Sequence, residues 1–143
     1  MGGPRGNDSF AADSSKSLVI TGGTITVNAQ GDGLDSNGTL SIEGGTIYVS
    51  GPTNSGNGAL DSASTMTISG GVVIAAGSAG MAQGFDQTSS QLSISYTFTS
   101  AQAAGTTITL KDASGSTVAS YTPEKTFQNV IISAPGLSAG QSY

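Results

Sequence analysis

The chain has 143 residues and a formal net charge of −5, and 36% of its residues are hydrophobic while only 9% are charged. This length suits one domain with a modest core, and the lack of a basic patch argues against nucleic acid and anionic membranes as partners. The sequence has neither Cys nor His, which argues against disulfide bonds, zinc chemistry and most hydrolase triads. No apolar stretch is long enough for membrane insertion.

The chain begins with residues 1–16, which are rich in Gly, Ser and Asp. This composition predicts a flexible linker or N-terminal arm. The arm lacks the apolar segment of a secretory signal, so we expect either a processed chain or a fragment of a longer protein.

A ten-residue pattern then returns three times: "LVITGGTITV" (18–27), "LSIEGGTIYV" (40–49) and "MTISGGVVIA" (66–75). Apolar residues occupy every second position on both sides of a Gly-Gly pair, and the first glycines lie at Gly22, Gly44 and Gly70. This spacing is typical of one coil of a solenoid, in which short strands bury their apolar face by stacking. We predict an all-β fold, a right-handed parallel β-helix of about three coils over residues 17–99. The alternative is an antiparallel sandwich, although its strands rarely repeat a whole pattern.

The repeat stops near residue 100. The segment "TTITLKDASGSTVASYTP" predicts a hairpin around "DASG", and "FQNVIIS" predicts a further strand. Residues 100–143 are therefore expected to form a β cap, which closes one end of the coils or docks on their flank.

Aspartates recur in the glycine-rich corners between the coils. Asp35 and Asp61 each precede the next apolar strand by five residues, and Asp86 precedes Leu92 by six. Stacked coils bring such carboxylates about 4.8 Å apart, and no Lys or Arg lies between Lys16 and Lys111 to offset the repulsion. Calcium, a hard cation with six to eight oxygen ligands, fits best. The predicted metal ligands are Asp32, Asp35, Asn57, Asp61 and Asp86. The alternative is that these side chains bind only turn amides.

The combination of "GGTI-x-V" coils, "DGLDSNG", "SGPTNSGNGALD", "GSAGMAQ" and "KDASGSTVASYTPEKTFQNVIIS" resembles a known family over nearly all of the chain. These are the carbohydrate-binding domain proteins of clostridial and related bacterial cell surfaces, which are calcium-binding parallel β-helices similar in fold to pectate lyases. The resemblance implies an extracellular or cell-surface protein that binds calcium and an acidic or cellulosic plant polysaccharide. Because members of the family usually continue past a further strand, the resemblance also implies that the β cap of residues 100–143 is truncated. It gives no residue-by-residue sugar site.

Three functions compete. A non-catalytic carbohydrate-binding module would use outward-facing aromatics, and Tyr48 lies on an outward column with Thr26 and Ile74. A structural filament subunit would use exposed coil ends for strand addition, with Ile74 among the subunit contacts. A pectate lyase needs a basic residue beside its metal, which the coils lack, so we expect no enzyme activity.

Overall fold

The fold is given by a computed structural model, which describes residues 12–143. Every regular element in this range is a β-strand, which confirms the predicted all-β class. The strands are β1 (Ser17–Ile20), β2 (Thr24–Asn28), β3 (Leu34–Ser36), β4 (Thr39–Ile42), β5 (Thr46–Ser50), β6 (Leu60–Ser62), β7 (Met66–Ile68), β8 (Val72–Gly77), β9 (Ser93–Gln102), β10 (Ile108–Lys111), β11 (Thr117–Tyr121) and β12 (Phe127–Ser133).

The three sequence repeats pair with one another in parallel. We name them unit 1 (17–28), unit 2 (34–50) and unit 3 (60–77). The strands before the glycine pairs are ordered β1-β4-β7, those after the pairs β2-β5-β8, and the short strands β3 and β6 pair with each other. Equivalent residues are in register, so the two-residue alternation stacks apolar side chains upon apolar side chains.

The inward-facing apolar residues form a continuous core inside the three units. In units 2 and 3 these positions are fully buried: Leu40, Ile42, Ile47, Val49, Leu60, Met66, Ile68, Val73 and Ala75. Leu18, Ile25 and Val27 of unit 1 pack against this core but stay half-buried, because β1 and β2 are edge strands within the described residues. Complete burial of one such side chain is worth about 1.5–3 kcal/mol.

The glycine pairs allow the units to approach closely. A Cβ on Gly44 would lie 2.5 Å from the carbonyl oxygen of Thr21, and a Cβ on Gly70 would lie 2.4 Å from that of Glu43. A side chain at either position would therefore push two units apart. The second glycine of each pair has a positive φ, which side chains disfavour: Gly23, Gly45 and Gly71.

The C-terminal region extends the largest sheet with antiparallel strands. β12 pairs with β8, and β9 pairs with the other edge of β12, giving the order β2-β5-β8-β12-β9. This sheet is therefore mixed, whereas the prediction considered only parallel pairing along the coils. The added strands cover the edge that β8 would otherwise expose. β9 also spans the predicted boundary at residues 99 and 100.

The hairpin of β10 and β11 covers the outward face of this sheet and corrects one prediction. Ile74 is fully buried in a second apolar cluster with residues of the hairpin and of β12. Tyr48 is half-buried and stacks on Tyr121, with ring centroids 4.7 Å apart and planes 10° apart. The predicted outward contact column of Tyr48 and Ile74 is thus an interior layer, because the C-terminal region docks on the flank.

The other edges of unit 3 are covered by side chains and loop backbone. The side-chain amide of Gln83 accepts a hydrogen bond from the Ser62 N–H and donates one to the Ser62 carbonyl, at 3.0 and 3.1 Å. The N–H of Gln91 donates to the carbonyl of Ile68 at 3.1 Å. Gln83 and Gln91, which follow the last repeat, thus take the place of a further strand beside β6 and β7, respectively.

The N-terminal arm is described only in part, because residues 1–11 lie outside the described residues. Residues 12–16 lead into unit 1. The N–H of Asp13 donates to the carbonyl of Asn37 at 2.8 Å, and the N–H of Thr39 donates to the carbonyl of Lys16 at 3.1 Å. Within residues 12–143, no helix has the length and apolarity that crossing a bilayer requires.

Candidate functional site

Three carboxylates converge where β3 and β6 run side by side. Asp35 is the register partner of Asp61 in this parallel pair. One oxygen from each of Asp32, Asp35 and Asp61 lies within 4.8 Å of the others. We call these three residues the acidic corner.

Glycines flank the acidic corner because its two chain segments lie almost in contact. A Cβ on Gly33 would lie 2.4 Å from the carbonyl oxygen of Ala59 and 2.5 Å from Cγ1 of Val49. The N–H of Gly58 donates to Oδ1 of Asp32 at 2.8 Å. The glycines of "GDGLD" and "GNGALD" thus let backbone of unit 2 pass directly against backbone of unit 3.

The carboxylates of the acidic corner repel one another. Burial raises the pKa of Asp61, and the charge of Asp32 together with the hydrogen bond and charge of Asp35 raises it further. The sequence provides no Lys or Arg between Lys16 and Lys111. A bound cation would relieve this repulsion.

The geometry of the acidic corner is compatible with calcium. Calcium lies 2.3–2.6 Å from its oxygen ligands, so two oxygens on one ion are at most about 5 Å apart. The 4.8 Å limit among the three carboxylate oxygens meets this condition. Their partial exposure leaves room for waters to complete the coordination.

Asn57 lies beside the acidic corner but its side chain serves the adjoining loop. It immediately precedes Gly58, whose N–H binds Asp32. Its side-chain nitrogen donates to Oδ1 of Asn54 at 2.9 Å, and its carbonyl accepts a hydrogen bond from Oγ of Ser78 at 2.9 Å. Asn57 therefore connects the acidic corner to the loop after β5.

Asp86 does not align with Asp35 and Asp61 as predicted. Its N–H donates to the carbonyl of Met66 at 2.7 Å, which locates it beside β7. The position above Asp61 and Ser62 is instead occupied by Gln83, whose side chain substitutes for a strand. The predicted alignment of Asp86 is wrong because it rested on spacing alone, and the segment after unit 3 is no longer a repeat.

Asp13 has the spacing of the aspartate repeat but does not join Asp35 and Asp61 in the fold. It precedes Leu18 by five residues, as Asp35 precedes Leu40 and Asp61 precedes Met66. Its N–H nevertheless donates to the carbonyl of Asn37, two residues beyond Asp35, and the acidic corner does not include it. The carboxylate of Asp13 accepts hydrogen bonds from N and Oγ of Ser15 at 2.9 and 2.6 Å, which lower its pKa.

Sequence reasoning missed the exposed aromatic surface. Tyr96 on β9 is 58% exposed. Its ring meets Phe98 edge-on, with centroids 4.9 Å apart, and Phe98 meets Phe127 in the same way at 5.9 Å. The exposed ring is thus fixed in orientation by a row of buried aromatic contacts.

The sequence model of a family described as carbohydrate-binding domain-containing protein matches residues 5–143. Searches of curated proteins and of solved structures find no match to this chain. The family match covers the three repeat units together with the C-terminal strands.

Proposed function

Because the chain belongs to the carbohydrate-binding domain-containing protein family, we propose that it is a non-catalytic, calcium-binding module that attaches to polysaccharide at the cell surface. The family match over residues 5–143 carries the carbohydrate part of this proposal. We also propose that the three units form a short right-handed parallel β-helix. Their in-register parallel ladders support that architecture.

The proposed ligand is an acidic or cellulosic plant polysaccharide. An acidic glycan faces a chain with a net charge of −5, so its binding would require a cation bridge at the acidic corner. A neutral glycan needs no such bridge and can stack its apolar ring faces on exposed aromatics. The two glycan classes therefore make opposite predictions about the need for calcium.

The proposed cofactor is Ca²⁺, held by Asp32, Asp35 and Asp61, with Asn57 and Asp86 as further candidates from the sequence. The 4.8 Å convergence of the first three supports the assignment. Isothermal titration of the chain with CaCl₂ tests it. Asp61→Asn should weaken binding, while Glu43→Gln, at an exposed acidic residue outside the acidic corner, is the matched control.

The proposed location is extracellular. Asp32 and Asp61 are partly exposed and Asp35 is exposed, so we expect a weak calcium site. Calcium sites of extracellular modules bind in the range of about 10⁻⁴–10⁻³ M. Such a site would fill outside cells and stay largely empty in the cytosol. Antibody labelling of intact producing cells tests this, and labelling that needs permeabilised cells would contradict it.

Retention on polysaccharide tests the carbohydrate function. The chain is run through native gels containing xyloglucan, mixed-linkage β-glucan or polygalacturonate, with calcium and then with chelator. Slower migration in at least one glycan supports the function. Unchanged migration in every gel would contradict it.

Assembly into a filament by strand addition is the second candidate function, and the open face of unit 1 favours it. Leu18, Ile25 and Val27 remain half-buried, whereas their register partners Leu40, Ile47 and Val49 are fully buried. A notch of 570 Å³ lies against β3 and the start of β1, lined in part by Leu18 and Asp35. A strand from a neighbouring molecule would cover this apolar surface.

Gly22 gives a second reason to consider assembly. A Cβ on Gly22 would meet no described atom within 4 Å. The equivalent Cβ atoms on Gly44 and Gly70 would each collide with backbone of the preceding repeat. No contact within residues 12–143 therefore requires glycine at position 22, whereas a further strand layer on this face would require it. Electron microscopy and sedimentation of the purified chain test this function, which requires fibres or oligomers that grow with concentration.

A further inference from the structure

A groove on the C-terminal side of the molecule has a composition suited to a sugar ring. It has a volume of 290 Å³ and lies between the start of β9 and the last residues of the described chain. Apolar walls come from Leu92, Ile94 and Leu137, while Ser138 and Gln141 add polar groups. Tyr143 forms one side and is 42% exposed.

Tyr96 continues the surface of this groove along β9. It lies two residues after Ile94, so both side chains are on the same face of the strand, about 7 Å apart along it. Edge contacts through Phe98 fix the ring. A rigid exposed tyrosine offers a large amphipathic contact area at a small cost in conformational entropy.

Tyr143 is also restrained in position. Its hydroxyl accepts a hydrogen bond from the N–H of Ser138 at 2.9 Å. The ring is thereby tied to Ser138, another residue that lines the groove. Tyr143 thus borders the groove in a restrained position, and Tyr96 extends the surface of the groove along β9.

We propose that the strip formed by Tyr96, Ile94, Leu92 and Tyr143 is the glycan-binding site and that its ligand is a neutral polysaccharide of pyranose units. The inference rests on the proposed carbohydrate-binding function. Pyranose rings have apolar C–H faces, which stack on the electron-rich face of an aromatic ring, and hydroxyl edges, which hydrogen-bond to neutral polar groups.

Charge selects the neutral class of glycan. All residues that line the groove have uncharged side chains, and the whole chain carries a net charge of −5. No cationic group in the lining offers a partner for a uronate carboxylate. The size of the groove, near the lower limit for small-molecule sites, suits one or two sugar rings while the polymer continues over Tyr96.

The test compares wild type, Tyr96→Ala and Tyr143→Ala in titrations with cellohexaose, xyloglucan and polygalacturonate. Met81→Ala is the matched control, because Met81 is an exposed apolar residue (54%) that is not part of the strip. Circular dichroism of each variant verifies folding. The expected result is binding of a neutral glycan that each tyrosine variant weakens by about tenfold or more, with Met81→Ala unchanged.

Two results would overturn the inference while leaving the proposed function intact. One is a wild-type chain that binds a neutral glycan with the same affinity as both tyrosine variants, which would locate the site elsewhere. The other is binding to polygalacturonate alone. A wild-type chain that binds none of the three glycans would instead contradict the proposed function and the inference together.

Discussion

Gln83 hydrogen-bonds to Ser62 as a neighbouring strand would. Its side-chain amide supplies one acceptor and one donor to the backbone N–H and carbonyl of Ser62, at 3.0 and 3.1 Å. The β3-β6 ladder can therefore end after two strands without leaving those backbone groups unpaired. The side chain of Gln83 thus pairs the free edge of β6, the strand that contains Asp61 of the acidic corner.

Replacement of Gln83 should destabilise the chain. In Gln83→Ala both backbone groups of Ser62 lose their partners, and we expect a loss of about 1–3 kcal/mol in the free energy of unfolding. Urea denaturation of the variant measures it. Gln87→Ala, at an exposed glutamine nearby, is the control. Equal midpoints for the two variants would mean that Gln83 does not act as the terminal strand.

Asp61→Asn should affect stability in opposite directions in two buffers. In chelator it removes a charge that Asp32 and Asp35 repel, so the free energy of unfolding should rise by roughly 1 kcal/mol. In millimolar calcium the variant should lose most of the stabilisation that calcium gives to wild type. Melting temperatures of wild type and variant in both buffers measure these effects. A shift of the same sign in both would contradict the proposed calcium site.

The raised pKa of Asp61 predicts a specific pH dependence in chelator. The folded chain binds the Asp61 proton more tightly than the unfolded chain, whose carboxyl titrates near 3.8. The destabilising contribution of Asp61 is therefore absent below that value and grows as the pH rises through the raised pKa. On acidification from neutral pH toward 4, wild type should gain stability relative to Asp61→Asn.

Other carboxyls titrate with the opposite sign in a lower range. The pKa values of Asp13 and Asp112 are lowered by hydrogen bonds from Ser15 and Ser114, respectively. Their stabilising contributions are present above the ordinary value and are lost as the pH falls through the lowered pKa. Asp13 and Asp112 are present in both wild type and Asp61→Asn, so their contributions cancel when the stabilities of the two chains are compared. Parallel stability curves for the two chains would contradict the assignment to Asp61.

Gly22→Val and Gly44→Val separate folding from assembly. Valine at position 44 would collide with the carbonyl of Thr21, and we expect it to cost several kcal/mol or to prevent folding. A Cβ at position 22 meets no atom of residues 12–143 within 4 Å, so the monomer should keep its melting temperature. If the chain forms fibres, Gly22→Val should abolish them. Fibres that persist in this variant would exclude stacking on that face.

Much of this architecture could be predicted from the sequence, because the repeat encodes it directly. The period-two alternation and the Gly-Gly spacing predicted the strands on both sides of each glycine pair and the pairing of Asp35 with Asp61. The short strands β3 and β6 were not predicted, because their glycine-rich surroundings indicated corners. The predicted features are local or periodic, so each repeat supports the interpretation of the others.

The predicted hairpin around "DASG" and the predicted strand "FQNVIIS" are confirmed as β10–β11 and β12. The contacts that these non-repetitive parts make could not be predicted in the same way. The burial of Ile74 depends on a hairpin whose docking leaves no periodic signal, and the role of Gln83 depends on a side chain imitating backbone. Asp86 was aligned by spacing beyond the point where the repeat ends. The aromatic row that leads from the exposed Tyr96 to the buried Phe127 joins strands that are distant in sequence, so it emerges only from the fold.

Equilibrium binding of the wild-type chain to a panel of insoluble and soluble plant polysaccharides, in calcium and in chelator, tests the central claim most directly. We expect saturable binding to at least one glycan, and binding to a neutral glycan should survive in chelator because the side chains proposed for its site include no carboxylate. If no glycan retains the chain in either buffer, the carbohydrate-binding function is wrong.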